Sequence, residues 1–130
     1  SGGELSRVML AIKTVLAVQD AIDTLIFDEI DTGISGRTAW KVAEQLSILA
    51  GAHQVICITH LPQIAAMADV HFIIEKSSTD DMTITDIHKV AEEESLAELA
   101  RLLGSDALTE AALSNANEMK EQANGFKEAR

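Results

Sequence analysis

Two short apolar segments with one helical pattern between them place the strongest constraint on the fold of this chain. Residues 24–27 and 55–58 are apolar, and each segment is followed directly by polar residues. Between them, apolar residues recur at helical spacing until Gly51, a typical helix-ending residue. A strand, a helix and a strand in this order form a βαβ unit, whose strands pair in parallel with a right-handed crossover. The sequence therefore predicts an α/β fold with a mainly parallel sheet flanked by helices.

The segments on either side of this unit carry further helical and strand patterns. Apolar residues at helical spacing predict an amphipathic helix over residues 4–18, and Pro62 begins a short helix over 61–68. Residues 70–76 and 82–90 read as a hairpin, followed by helices over 93–103 and 106–123. Aromatic residues make up only 3% of the chain while hydrophobic residues make up 47%. We therefore expect a core of aliphatic side chains.

The charge of the chain is negative and unevenly distributed. The formal net charge is −11, and residues 61–130 hold fourteen acidic and six basic residues, against seven and four in residues 1–60. An acidic surface repels the phosphate backbone, so this segment is poorly suited to gripping DNA by itself. Any DNA contact is expected to come mainly from elsewhere in a longer protein.

Cysteine content and hydropathy predict the compartment. Cys57 is the single cysteine and lies in an apolar strand, which excludes an internal disulfide and favours a core thiol. No stretch approaches the roughly 18 apolar residues of a membrane span. These features predict a cytoplasmic protein with no membrane segment.

Polar side chains follow both predicted parallel strands where each strand ends. Asp28, Glu29 and Asp31 follow the first strand, and Thr59 and His60 follow the second. Ligands of open α/β sheets bind at the carboxyl ends of the strands. One of two adjacent carboxylates can hold Mg²⁺ while the next orients an attacking water, and an imidazole here could hydrogen-bond a γ-phosphate. The alternative is a set of solvated acids that merely closes a strand.

The chain opens on a glycine-rich helix start, Ser1, Gly2, Gly3 and Glu4. Free N–H groups and the helix dipole favour an anion at such a position, and two glycines let the backbone approach a phosphate. The same four residues also fit an ordinary capping box, which needs no ligand. The sequence leaves both interpretations open at this point.

Taken in order, these three features resemble a known arrangement. S-G-G-E, an apolar strand ending in D-E and a later strand ending in T-H resemble the signature, Walker B and H-loop of ATP-binding-cassette ATPases. Further details resemble the SMC-like DNA-repair branch of that superfamily. They are D-T-G-I-S-G at residues 31–36 in the D-loop position, T-H-L-P-Q at 59–63 and E-L-A-R-L-L-G at 98–104. The resemblance runs through essentially the whole chain.

The resemblance implies a role for each residue at the two strand ends. Asp28 would position Mg²⁺, Glu29 would polarise the hydrolytic water, and His60 would sense the γ-phosphate of ATP. Glu29 and His60 are thus the implied catalytic residues, Asp28 is the implied metal residue, and ATP and Mg²⁺ are the implied substrate and cofactor.

The resemblance also implies contacts across a dimer. Ser1, Gly2 and Gly3 would touch the ATP bound to the opposite head, and Asp31 would lie in the D-loop between the two sites. Residues 1–130 would then be the C-terminal lobe of an ATPase head. The implied partners are the N-terminal lobe of the same protein, a second copy joined through ATP, and DNA bound by the full-length protein.

The phosphate-binding loop of such an ATPase is not in this sequence. That loop requires a glycine followed directly by lysine, and no glycine here is followed by lysine. We therefore expect the chain to hydrolyse no ATP without its N-terminal lobe. Two alternatives remain at this stage: a non-catalytic interaction module that docks through its acidic tail, residues 91–130, and an ATPase fragment of a transporter or another SMC-like protein.

Overall fold

The computed structural model describes residues 2–17, 19 and 21–130. Within these residues the chain forms five helices, one two-stranded parallel sheet and one β-hairpin. In chain order the elements are α1 (Gly2–Leu16), β1 (Thr24–Phe27), α2 (Gly36–Leu49), β2 (Gln54–Cys57), α3 (Pro62–Met67), β3 (Phe72–Ser78), β4 (Thr83–Lys89), α4 (Glu92–Leu102) and α5 (Glu110–Ala129). No helix within the described residues is long and apolar enough to cross a membrane.

The βαβ unit predicted from the sequence is confirmed. Strands β1 and β2 pair in parallel, from Thr24 opposite Gln54 to Phe27 opposite Cys57. Strand β2 begins one residue earlier than predicted. The expectation of a mainly parallel sheet holds only for this pair, because β3 and β4 form a separate antiparallel hairpin from Phe72 opposite Lys89 to Ser78 opposite Thr83.

The core is aliphatic, as the composition predicts. Helices α2, α3, α4 and α5 pack around it with β1, and the largest fully buried side chains are Ile30, Leu49 and Leu99. Small side chains let the helices approach closely, among them Ala43, Ala66, Ala100, Ala116 and Ala123, each fully buried. Close packing of this kind leaves little room for a substitution that adds volume.

Helix α5 secures the C-terminal end of α3. Lys120 Nζ donates to the carbonyl oxygen of Ala66 at 3.3 Å, and Lys127 Nζ donates to that of Ala68 at 3.2 Å. Cations at this end satisfy free carbonyl groups and complement the helix dipole. Burial lowers the pKa of Lys120. These bonds hold α5 against α3, the helix that directly follows the strand end carrying His60.

The apolar stripe of α1 lies outside the core. Only Gly3 and Leu10 of this helix are buried, while the apolar residues that predicted it are at least 44% exposed: Leu5, Val8, Met9, Ile12, Val15 and Leu16. The outer face of the parallel pair is also uncovered, with Ile26 68% and Ile56 45% exposed. Helix α1 and the parallel pair therefore present one extended apolar surface.

Candidate functional site

The two loops that follow β1 and β2 lie side by side. Parallel pairing brings the carboxyl ends of both strands to one edge, and the amide of Ile58 continues the ladder by donating to the carbonyl oxygen of Phe27 at 3.0 Å. Asp28 and Glu29 are exposed directly after β1, whereas Ile30 and Asp31 turn back into the protein. The edge thus combines two accessible carboxylates with one buried carboxylate.

Glu29 lies at a strained point of the backbone. Its φ is 60°, and it is the one non-glycine residue with positive φ among those the structure describes. Left-handed backbone costs a non-glycine residue about 1–3 kcal/mol, and such residues cluster at functional sites. The turn at Glu29 reverses the chain, so that Asp28 and Glu29 stay outside while Ile30 becomes fully buried.

Asp31 joins the two loops. Its side chain is only 4% exposed, and its Oδ2 accepts hydrogen bonds from Thr59 Oγ1 at 2.5 Å and from the amide of His60 at 2.9 Å. The ring Nδ1 of His60 lies 3.0 Å from the same oxygen. The resemblance implies that Asp31 lies in the D-loop between two ATP sites, and within this chain its carboxylate faces Thr59 and His60.

His60 combines a fixed backbone with an exposed ring. The side chain is 72% exposed, although its Nδ1 lies 3.0 Å from Asp31 Oδ2. Thr59 Oγ1 also accepts from the amide of Leu61 at 3.0 Å, which fixes the turn into α3. With Nδ1 engaged, Nε2 is the ring nitrogen left to meet a ligand.

The start of α1 packs against the loop after β1. A Cβ added at Gly2 would fall 2.7 Å from Glu29 Oε2, and one added at Gly3 would fall 2.9 Å from Thr32 Cβ. Gly3 therefore has a packing role, whether or not a phosphate also binds there, whereas the exposed end of the Glu29 side chain could move away from a Cβ at Gly2. Ser1, the remaining predicted nucleotide contact at this helix start, lies outside the described residues.

Arg7 is a site residue that the sequence patterns did not indicate. Its Nη1 donates to the carbonyl oxygens of Ile30 at 3.0 Å and Thr32 at 2.8 Å, and Ser6 Oγ donates to that of Asp28 at 3.2 Å. These bonds fasten the loop after β1 to α1. Helical spacing is the sequence signal that could have indicated Arg7, because it lies four residues after Gly3 and therefore on the same face of α1.

The other histidines have structural partners. Nδ1 of His53 lies 2.5 Å from the carbonyl oxygen of Ile22, and Nδ1 of His71 lies 2.7 Å from Ser95 Oγ, with burial lowering the pKa of His71. His88 lies on the hairpin. Its pKa is raised mainly by a hydrogen bond to Glu94 and next by a hydrogen bond to Asp86. These contacts give the three histidines roles in packing or at the surface, away from the edge that carries His60.

Cys57 should resist alkylation in the folded chain. Burial, followed by the negative charges of Asp31 and Asp28, raises the pKa of its thiol to about 12. At pH 8 the reactive thiolate is then roughly one ten-thousandth of the total. We expect negligible labelling by iodoacetamide at pH 8, measured by mass spectrometry, and complete labelling of the same chain in urea. Rapid labelling under native conditions would contradict the raised pKa of this thiol.

Sequence comparison shows that this chain is similar to a segment of known DNA repair proteins. The chain is homologous over nearly its whole length to a part of several curated bacterial repair proteins. They include DNA repair protein RecN of Bacillus subtilis, 45% identical over 127 residues that make up 98% of this chain and 22% of the relative. RecN of Treponema pallidum is 51% identical and RecN of Haemophilus influenzae 50% identical, each over 119 residues, 92% of this chain and 21% of the relative. The chain thus spans about a fifth of the length of these relatives. No family model matches it.

Proposed function

We propose that this chain is the C-terminal lobe of the ATPase head of a RecN-type, SMC-like protein that acts in recombinational repair of double-strand breaks. Binding of ATP would join two heads, and hydrolysis would release them. The similarity to proteins named DNA repair protein RecN supports the repair role. The arrangement of the carboxyl edge supports the ATPase role.

One observation carries the proposal: the loop with Asp28 and Glu29 and the loop with His60 are fastened together through Asp31. Two exposed carboxylates and one exposed imidazole thereby share one edge of the sheet. Carboxylates that follow a buried strand suit a site for the metal and water of phosphoryl transfer. A pair of merely solvated acids would need neither the strained backbone at Glu29 nor a buried link to His60.

The residues at this edge fit a hydrated magnesium ion. Mg²⁺ prefers oxygen ligands and is often held by one or two carboxylates, and Asp28 presents an exposed carboxylate at the strand end. When bound, the ion neutralises charge on the phosphates. Asp28 would hold it, and Glu29 would accept a hydrogen bond from the attacking water and orient it. His60 would offer Nε2 to an oxygen of the γ-phosphate.

The uncovered apolar surfaces support a partner within the same polypeptide. The stripe of α1 and the outer face of β1 and β2 form exposed apolar surface of the kind that other protein normally covers. A shallow groove of about 260 Å³ runs between them, lined by Leu5, Ser6, Met9, Lys13, Leu25, Ile26 and Phe27. Because the RecN relatives are several times longer than this chain, we propose that the N-terminal lobe packs here and supplies the phosphate-binding loop.

The isolated chain should bind ATP only feebly and should not hydrolyse it. Without a phosphate-binding loop it has neither a backbone cradle for the β-phosphate nor the lysine that stabilises developing charge. Isothermal titration calorimetry of the chain with MgATP should give at most weak heats. The full-length protein, measured in parallel, should bind ATP and hydrolyse it.

Two results would contradict this proposal. A micromolar affinity of the isolated chain for ATP would mean that the site is complete without the other lobe. A full-length protein with no ATP turnover would instead favour an interaction module. Stimulation of turnover by DNA is expected for a repair ATPase and is not expected for the ATPase of a transporter.

A further inference from the structure

Within the described residues, the buried carboxylate of Asp31 takes its hydrogen bonds from the neighbouring strand end. Burying a carboxylate is costly unless it is paired and hydrogen-bonded. Thr59 Oγ1 and the amide of His60 donate hydrogen bonds to Asp31, and the ring Nδ1 of His60 lies 3.0 Å from the same carboxylate oxygen. A residue that touched nucleotide directly would need an accessible carboxylate, whereas this side chain is only 4% exposed.

These contacts determine how the ring of His60 is presented. An exposed histidine with a free ring can rotate and can turn either nitrogen outward. Here Nδ1 lies 3.0 Å from Asp31 Oδ2, and the Thr59 hydroxyl fixes the backbone on both sides of His60 through Asp31 Oδ2 and the amide of Leu61. The consequence is a ring orientation in which Nε2 points away from Asp31.

The same carboxylate also couples His60 to Glu29. Asp31 is two residues beyond Glu29, and the intervening Ile30 is fully buried, which anchors the loop in the core. A displacement of the Glu29 loop would therefore pull on His60 through Asp31. The proposed function places His60 at the γ-phosphate and Glu29 at the attacking water. The side chain of Asp31 thus keeps these two residues in a fixed relative position.

We propose that Asp31 is a positioning residue, which orients His60 Nε2 toward the nucleotide and keeps His60 in register with Glu29. This inference rests on the proposed ATPase function. The resemblance implies that Asp31 lies in the D-loop between two ATP sites, and the positioning role adds a task for its carboxylate within this chain. An aspartate that orients a histidine through Nδ1 is a recurrent device in enzymes.

A double-mutant cycle on ATP turnover by the full-length protein tests this role. We expect Asp31→Asn to lower kcat about 10- to 100-fold, the loss typical of removing an orienting partner of a histidine, with a smaller change in KM. In a His60→Ala background the same substitution should cause no further loss, because its target is gone. Asp80→Asn, at the exposed hairpin turn, is the matched control and should leave turnover unchanged.

The outcomes separate this inference from the proposed function. An unchanged kcat in folded Asp31→Asn would overturn the positioning role. An equal loss of kcat with and without His60 would also overturn it, because a merely structural defect acts in both backgrounds. Should Asp31→Asn fail to fold, Thr59→Val removes one hydrogen bond to Asp31 and is expected to lower kcat only when His60 is present. Turnover that Glu29→Gln does not reduce would overturn the proposed function itself, whatever the cycle gives.

Discussion

Replacing Glu29 with glutamine in the full-length protein should lower ATP turnover by about 10²- to 10⁴-fold, the range over which general-base catalysis contributes. The amide keeps the size of the side chain but cannot accept a proton from the attacking water. ATP binding should be retained, because phosphate and metal contacts come from other groups. A dimer joined through ATP should therefore accumulate, measured by size-exclusion chromatography with ATP alongside steady-state turnover.

The glutamine substitution separates chemistry from folding at a strained position. Glu29 has a φ of 60°, and glutamine is no better suited than glutamate to that backbone, so the strain is unchanged. Glu128→Gln, on the exposed side of α5, makes the same chemical change away from the site and should leave turnover at the wild-type level. Turnover that survives Glu29→Gln would favour a non-catalytic role for the strand end.

The pairing of the two strand ends could be predicted from the sequence because it depends on local patterns. Two apolar runs with one helix between them permit little except a parallel pair, and parallel strands end at one edge. The approach of Asp28, Glu29 and His60 to that edge followed directly. The burial of Asp31 could not be predicted from the sequence, because it depends on the left-handed turn at Glu29. Glutamate seldom adopts this conformation, and no sequence pattern predicts it here.

The last helix shows where local patterns fail. The sequence predicted a helix over residues 106–123, but α5 runs from Glu110 to Ala129. Its start is set by Thr109, whose Oγ1 accepts from the amide of Ala112 at 3.1 Å. Its end is held by distant contacts, with Lys127 bonded to Asp69 and Arg130 bonded to Ser47. Contacts across 58 or more residues leave no trace in a local window.

Helix α1 illustrates a different limit. The spacing of its apolar residues predicted an amphipathic helix, and α1 is present, although its apolar stripe is exposed. Periodicity reports that a helix has an apolar face but not which element covers it. For this helix, we propose that the covering element belongs to the other lobe.

Alanine substitutions at two helical glycines should change stability in opposite directions. A Cβ at Gly3 would lie 2.9 Å from Thr32 Cβ and 3.0 Å from the backbone oxygen of Thr32, so the start of α1 must move away from the loop after β1. Overpacking of this kind costs about 1–3 kcal/mol. A Cβ at Gly125 in α5 meets nothing within 4 Å, and alanine there should stabilise the helix by about 0.5–1 kcal/mol. In urea unfolding, the free energies of unfolding of the two variants should differ by about 1.5–4 kcal/mol.

The comparison also distinguishes the two interpretations of the glycine-rich helix start. Helix propensity favours alanine at both positions, so a loss of stability confined to Gly3→Ala reports the close contacts of Gly3 with Thr32 and Arg7. If Gly3→Ala is as stable as the unsubstituted chain, the close approach to Thr32 is relieved at no cost and packing does not require this glycine. If Gly3→Ala is stable but the full-length variant no longer dimerises with ATP, Gly3 is needed for contact with the nucleotide of the opposite head. A variant that loses stability while dimerisation with ATP persists would assign Gly3 to packing alone.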